Sequence, residues 1–235
     1  MLNYKYLLIG IVFLAANFQL QAQSFQWGKH YGSAFINEPT AIAIDSQGNS
    51  YSVGHFENGA DFNPDTSVVT ITNHGAWDIY ILKLDSNGNF IWVKGIGSSG
   101  DDDAYDVQVV NDKIIICGVF FNIIDFDPNA GIALDTSNGN FDCFILQLDT
   151  AGNFSFVKTF GGADYDVVNH VSTDLYGNII ATGQFKLTVA FSPSQVATSQ
   201  GGIDMFIIKL DSSGNFKWVK TLGGDVQDIG SSLEI

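Results

Sequence analysis

The sequence predicts an all-β fold made of repeated four-stranded units, and three observations carry that prediction. First, the stretch Asp78–Lys94 returns as Asp142–Lys158 and again as Asp204–Lys220, at offsets of 64 and 62 residues. Second, the unit holds four short runs rich in Ile, Val, Phe and Tyr, grouped in pairs around Asp-x-x-Gly-Asn turns. In such turns Asp bonds nearby backbone N–H groups and Gly supplies positive φ. Third, 22 of the 25 acidic residues are Asp, Gly numbers 25, and no long Ala/Glu/Lys/Leu stretch favours helix. Four antiparallel strands per unit, repeated without helical segments, are the pattern of a β-propeller blade. A β-sandwich needs about seven strands per unit, and a solenoid repeat is much shorter.

The elements follow in chain order. Met1–Lys5 carry a single positive charge, Tyr6–Ala16 is an uncharged run of 11 residues, and Asn17–Gln23 is polar with Ala22 as a small residue before cleavage. Residues 1–22 therefore read as a secretory signal peptide. The run is too short to span a bilayer, which takes roughly 18–20 apolar residues. Export and a secreted or cell-surface location are the expectation for residues 23–235. Next, Phe25–Gly32 matches Phe90–Gly97, the last strand of a unit, and stands as an orphan strand. Repeat units follow at approximately 33–97, 98–161 and 162–223, and residues 224–235 match the start of a fourth. Gly54, Gly118 and Gly183 mark the end of the second strand in each, 64 and 65 residues apart. A Pro-marked loop then separates the strand pairs: Asp61–Asp65, Asp125–Asn129 and Ala190–Ser194. Three blades plus partial strands make an incomplete ring, so the chain reads as the N-terminal part of a longer protein. Gly88 is a turn position where Val is not expected to be tolerated.

These residues resemble the SBBP-type β-propeller repeat of exported bacterial proteins. The resemblance rests on Trp92, Lys94, Gly54, Phe56, Gly75, Asp78, Lys83, Leu84, Gly88 and Asn89, repeated through residues 25–235. The Asp-Phe-Asx-Pro version is similar to that of large secreted proteins from Bacteroidetes-type bacteria. It implies a propeller fold; it implies little about activity, because propellers host many.

Charge narrows the function classes. The net charge is −15, and all 10 basic residues are Lys, with no Arg. Nucleic-acid binding needs a basic footprint and favours Arg, so it is excluded as a partner class. No polybasic cluster is present to hold an anionic membrane. Candidate chemistry is sparse. Asp61, Asn63 and Asp65, and Asp125, Asp127 and Asn129, place oxygens at i, i+2 and i+4, as many calcium loops begin. No bidentate Glu follows, and the third loop has Ala190, Ser192 and Ser194, so Asx turns explain the pattern as well. The run Asp101–Asp103 with Asp106 reads as a solvated acidic turn. His30, His55, His74 and His170 share no repeat position and no metal-ligand spacing. Cys117 and Cys143 fall at apolar repeat positions; either small core residues or, after export, a disulfide fits them. Trp27, Trp92 and Trp218, with Phe156 in the remaining slot, read as blade packing ahead of sugar stacking. No catalytic, cofactor or metal residue is assigned. The first functional reading is a non-catalytic exported scaffold that binds a protein or glycan ligand. The alternative is part of an exported hydrolase or lyase whose active site lies on further blades or an appended domain.

Overall fold

A computed structural model describes residues 27–32, 35–65 and 67–235; the signal peptide and Phe25 and Gln26 of the expected orphan strand lie outside these, and residues 27–32 form no strand, only an isolated bridge from Gly32 to Asp61. The first sheet comprises β1 (Asn37–Ile44), β2 (Ser50–Phe56), β3 (Asp78–Leu84) and β4 (Phe90–Ile96), in the order β1-β2-β3-β4. The second comprises β5 (Asp103–Val110), β6 (Lys113–Phe120), β9 (Asp142–Asp149) and β10 (Phe154–Phe160), with the small hairpin β7 (Ile123–Asp125) and β8 (Leu134–Thr136) inserted between β6 and β9. The third is β11 (Val167–Thr173), β12 (Ile179–Ser192), β13 (Gln195–Leu210) and β14 (Phe216–Leu222). All pairings are antiparallel. Among the described residues there is no helix.

The sheets are blades of a partial β-propeller. The first strands, β1, β5 and β11, sit side by side, with β5 touching both of the others. Thr40 on β1 donates its hydroxyl to the Ala104 carbonyl on β5. The sheets stack face to face, so the middle strands of the second sheet bury both faces, whereas β13 of the third buries alternate residues. In the first sheet Phe62, Trp27 and Tyr31 cover the side without a neighbouring sheet. That is why β2 is buried along its whole length and its sequence does not alternate. Tyr51, Val53, Ile79 and Ile81 meet Ile114, Ile116, Phe144 and Leu146 between the first two sheets. Ile115, Cys117, Cys143 and Ile145 meet Ile179, Ala181, Phe206 and Ile208 between the second and third.

Each blade repeats one irregularity. The first strand bulges between Pro39 and Ala41, Ala104 and Asp106, or Val168 and His170. Opposite each bulge stands Gly54, Gly118 or Gly183. A Cβ there would lie 2.0, 2.0 or 1.9 Å from a main-chain oxygen of the first strand. Only glycine allows that approach. The Asp-x-x-Gly-Asn turns also form as read. Gly88 has φ of +79° and donates its N–H to Asp85 O at 2.9 Å, while Asp85 Oδ1 takes the N–H groups of Asn87 and Asn89.

The aromatic at the start of each outer strand packs on the next blade's turn. A Cβ at Gly88 would meet Trp27 at 2.8 Å, one at Gly152 would meet Trp92 at 3.5 Å, and one at Gly214 would meet Phe156 at 2.5 Å. Trp218 holds the same place in the third blade and is 39% exposed. Lysines add ties between blades: Lys83 reaches Thr150 O at 2.8 Å and Lys113 reaches Ser212 O at 3.1 Å.

The Pro-marked loops are wedges. Phe62, Phe126 and Phe191 are fully buried, each packed on two or more aromatic neighbours. The third loop differs: β12 and β13 run on as one long hairpin that turns at Pro193 and Ser194, because Ala190 replaces Asp61 and Asp125, whose carboxylates take the N–H groups of Val69 and Ala133 and fold those loops back. Cys117 pairs with Ile145 and Cys143 with Val119, so the cysteines are diagonal rather than opposite. Diagonal Cα atoms lie about 7–8 Å apart, beyond disulfide reach. Both thiols are free and buried.

Buried carboxyls recur where one blade passes to the next. Asp102 accepts N–H groups from Ser98 (2.5 Å) and Phe121 (3.0 Å); Asp166 accepts them from Gly162 (2.7 Å) and Lys186 (2.9 Å). Asp78 and Asp142 approach from the preceding blade, held by N–H groups of His74 and Asn138. Burial, opposed by the backbone donors and reinforced by the facing aspartate, pushes Asp102 up to about 6 and Asp166 up to about 7. The folded chain thus binds more protons than the unfolded chain between about pH 4 and pH 7, and stability falls as pH rises through that window. Half-buried turn carboxylates act in the opposite sense. Asp85 and Asp211 are held below the usual range first by the Asn89 and Asn215 backbone N–H groups, and Asp174 first by the Lys209 ammonium. Their contribution is lost only as pH falls below about 4. Thermal melting is therefore expected to peak near pH 4, and Asp166→Asn should flatten the decline towards pH 8. A melting temperature that rises from pH 5 to pH 8 would contradict this.

Candidate functional site: an aromatic and carboxylate pocket

Antiparallel connection places the Asp-x-x-Gly-Asn turns at one end of the blades. The β2–β3, β6–β9 and blade-to-blade connections lie at the other. At that second end a cavity of about 290 Å³ is lined by Trp77, Asp101, Asp103, Tyr105, Val119, Phe141 and Tyr165. Trp77 and Phe141 immediately precede the third strands of blades one and two. Asp103 and Tyr105 come from the bulged start of β5, Asp101 from the connection just before it, and Tyr165 from the turn into β11.

The walls are fixed from behind. His55 stacks on Trp77 at 4.5 Å and 18°, and Trp77 Nε1 donates to Glu57 Oε1 at 3.2 Å. Phe141 meets Tyr165 edge-on at 5.4 Å and tilts on Phe121 at 5.6 Å. His55 is only 4% exposed, with Nδ1 3.1 Å from Asp103 Oδ1 and Nε2 4.0 Å from Glu38 Oε2. His55 Nδ1 and Asp103 Oδ1 are within hydrogen-bond distance but poorly aligned, so neither His55 nitrogen nor Asp103 Oδ1 has a well-directed partner. Burial pulls the imidazole down, but Asp103, Glu38 and Asp101 outweigh it and raise its pKa. Asp103 is itself raised, by burial, against the pull of His55. No lysine lines the pocket.

A larger hollow, about 500 Å³, lies on the open face of the first blade between Trp27, Tyr31, Ile42 and Leu82. On the second and third blades the same face is filled by the preceding sheet, so this hollow belongs to blade stacking.

The structure separates the residues singled out in the sequence. Asp61 Oδ1 takes the N–H groups of Asn63 and Val69, and Asn63 Oδ1 that of Asp65. Asp125 Oδ1 takes those of Asp127 and Ala133, and Asp127 Oδ1 that of Asn129. Lysines from outside close both loops, Lys29 of the segment before β1 on Asp65 at 2.7 Å and Lys94 of β4 on Asn129 at 2.6 Å. The Lys29–Asp65 pair is partly exposed, and such pairs contribute about 0–1 kcal/mol. The Asx bonds and the buried phenylalanine therefore hold these loops. Among the described residues no three His, Cys, Asp or Glu side chains gather in metal-ligating fashion.

The run Asp101–Asp103 is not a single solvated turn. Asp102 is fully buried, Asp103 faces His55, and only Asp101 stays at the rim. Strand alternation at the start of β5 turns neighbouring carboxylates to different surroundings. Asp106 instead takes the Val171 N–H at 2.9 Å and lies 3.5 Å from His170 Nε2. His74 lies 3.1 Å from Asp78, and His30 lines the larger hollow. Sequence reading missed the roles of Trp77, Tyr105, Phe141 and Tyr165. The signal available was that Trp77 and Phe141 share one repeat slot, immediately before Asp78 and Asp142.

No protein-family model matches the chain. It is 25% identical, over 84% of its length, to an uncharacterized WD repeat-containing protein of Acanthamoeba polyphaga mimivirus. The chain spans 16% of that relative's length. A likeness to a WD repeat protein agrees with the blades described above. The fold is a β-propeller-like repeat.

Proposed function

We propose that the protein is a non-catalytic, exported β-propeller of the SBBP type, from a Bacteroidetes-like secreted family, that binds a protein partner at the cell surface. The observation that carries this reading is the pocket at the first blade junction. Its aromatic walls are braced by His55, Glu57 and Phe121, and it brings carboxylates forward beside the phenol of Tyr105, whose pKa burial pushes up so that the hydroxyl stays un-ionised. Such a surface holds a ligand rather than transforming it. The leader-like segment at residues 1–22 supports export.

Two measurements test the reading. N-terminal sequencing of the native protein, with protease shaving of intact cells, should give a chain starting at Gln23 that is digested from outside. A chain retaining Met1 and protected inside the cell would contradict export. A photo-crosslinking phenylalanine analogue at position 141 should yield a discrete protein adduct, whereas the same analogue at Ser213, on the opposite end, should not. Equal labelling from both ends would contradict a binding face at the pocket.

A further inference from the structure

Resting on that binding reading, we infer that the pocket receives a guanidinium group, an arginine side chain presented by the partner. Three features point to this chemistry. The cavity of about 290 Å³ lies at the small end of ligand pockets, suited to one side chain rather than to a cofactor or an oligosaccharide. Its walls are the flat rings of Trp77, Tyr105, Phe141 and Tyr165, and aromatic faces attract cations. Asp101 and Asp103 supply negative charge on the lining. The nearby His55 offsets only one of them, while Glu38 adds a further carboxylate behind it.

The choice between guanidinium and ammonium follows from hydration and shape. An ammonium is compact and strongly hydrated, so an enclosed aromatic cavity strips it at higher cost. A guanidinium is planar, weakly hydrated, stacks on rings and pairs with a carboxylate through two parallel N–H bonds. The chain has no arginine of its own to compete for the site. Of its lysines, Lys186, near the same end, is already paired with Asp164 at 2.9 Å.

The test uses the purified chain and the blocked tripeptides acetyl-Gly-Arg-Gly-amide, acetyl-Gly-Lys-Gly-amide and acetyl-Gly-Gly-Gly-amide. The readout is the indole N–H resonance of Trp77, with Trp27, Trp92 and Trp218 as internal references. The arginine peptide should shift Trp77 saturably at millimolar concentration and leave the references still. The lysine peptide should bind several-fold more weakly, and the glycine peptide should give no shift. Asp101→Asn, at the solvent-facing rim, should weaken the arginine response by about tenfold with melting unchanged. Phe141→Leu should weaken it without loss of the carboxylates. An unmoved Trp77, equal responses to arginine and lysine, or an unaffected Asp101→Asn variant would overturn the inference. A crosslinked partner at position 141 without an arginine response overturns this inference alone. Absence of both overturns the binding reading as well.

Discussion

Gly118→Ala should lower the stability of the chain by about 3 kcal/mol or prevent folding outright. The added Cβ would sit 2.0 Å from the Asp103 carbonyl oxygen and 2.9 Å from Ala104 Cα. Both are main-chain atoms of the bulged inner strand, so no side-chain rotation relieves the clash. The bulge itself would have to straighten, and Tyr105, which lines the pocket, is the bulged residue. The effect is therefore expected twice, as a lower denaturation midpoint and as loss of any pocket response in folded material. Gly224→Ala is the matched control, because nothing lies within 4 Å of its Cβ position. It should change stability by less than about 0.5 kcal/mol. Equal midpoints for the two variants would contradict the packing described at Gly118.

Phe126→Ala is the second large effect, a loss of about 3–5 kcal/mol. The ring is fully buried, with Phe120 at 5.2 Å and Phe144 at 5.3 Å between centroids. Truncation leaves a cavity in the wedge that separates neighbouring outer strands. Removing Lys94, which closes the same loop from outside, should cost no more than about 1 kcal/mol, because its bond to Asn129 is exposed. Urea titration of the two variants compares the contributions directly. A Lys94→Ala loss larger than that of Phe126→Ala would mean that the surface contact, not the buried ring, holds the loop.

Blade content was legible because the cause is local. Asp85, Gly88 and Asn89 form their turn from hydrogen bonds within five residues, and each repeat encodes the same turn again. The wedge was half legible. Its Pro and Asx residues announced a loop, but which oxygens were free for a cation depended on Lys29 and Lys94 arriving from outside the loops. The pocket was hidden for a stronger reason. Trp77, Tyr105 and Tyr165 come from three blades and share no motif, and they meet only because the sheets stack with their first strands together. His55 illustrates the same point: it has no ligand spacing in sequence, yet stacking delivers Asp103 to it from the next repeat.

Each repeat is one blade, buried through its middle strands, with the first strands gathered together. Amide hydrogen exchange resolved along the chain tests it most directly. The account predicts that the slowest amides fall in three matched pairs, 50–56 with 78–84, 113–120 with 142–149, and 179–185 with 204–210, while the outer strand 216–222 and the turns at 85–89, 149–153 and 211–215 exchange early. Slow exchange confined to one contiguous half of the chain, or slowest in the turns, would contradict it.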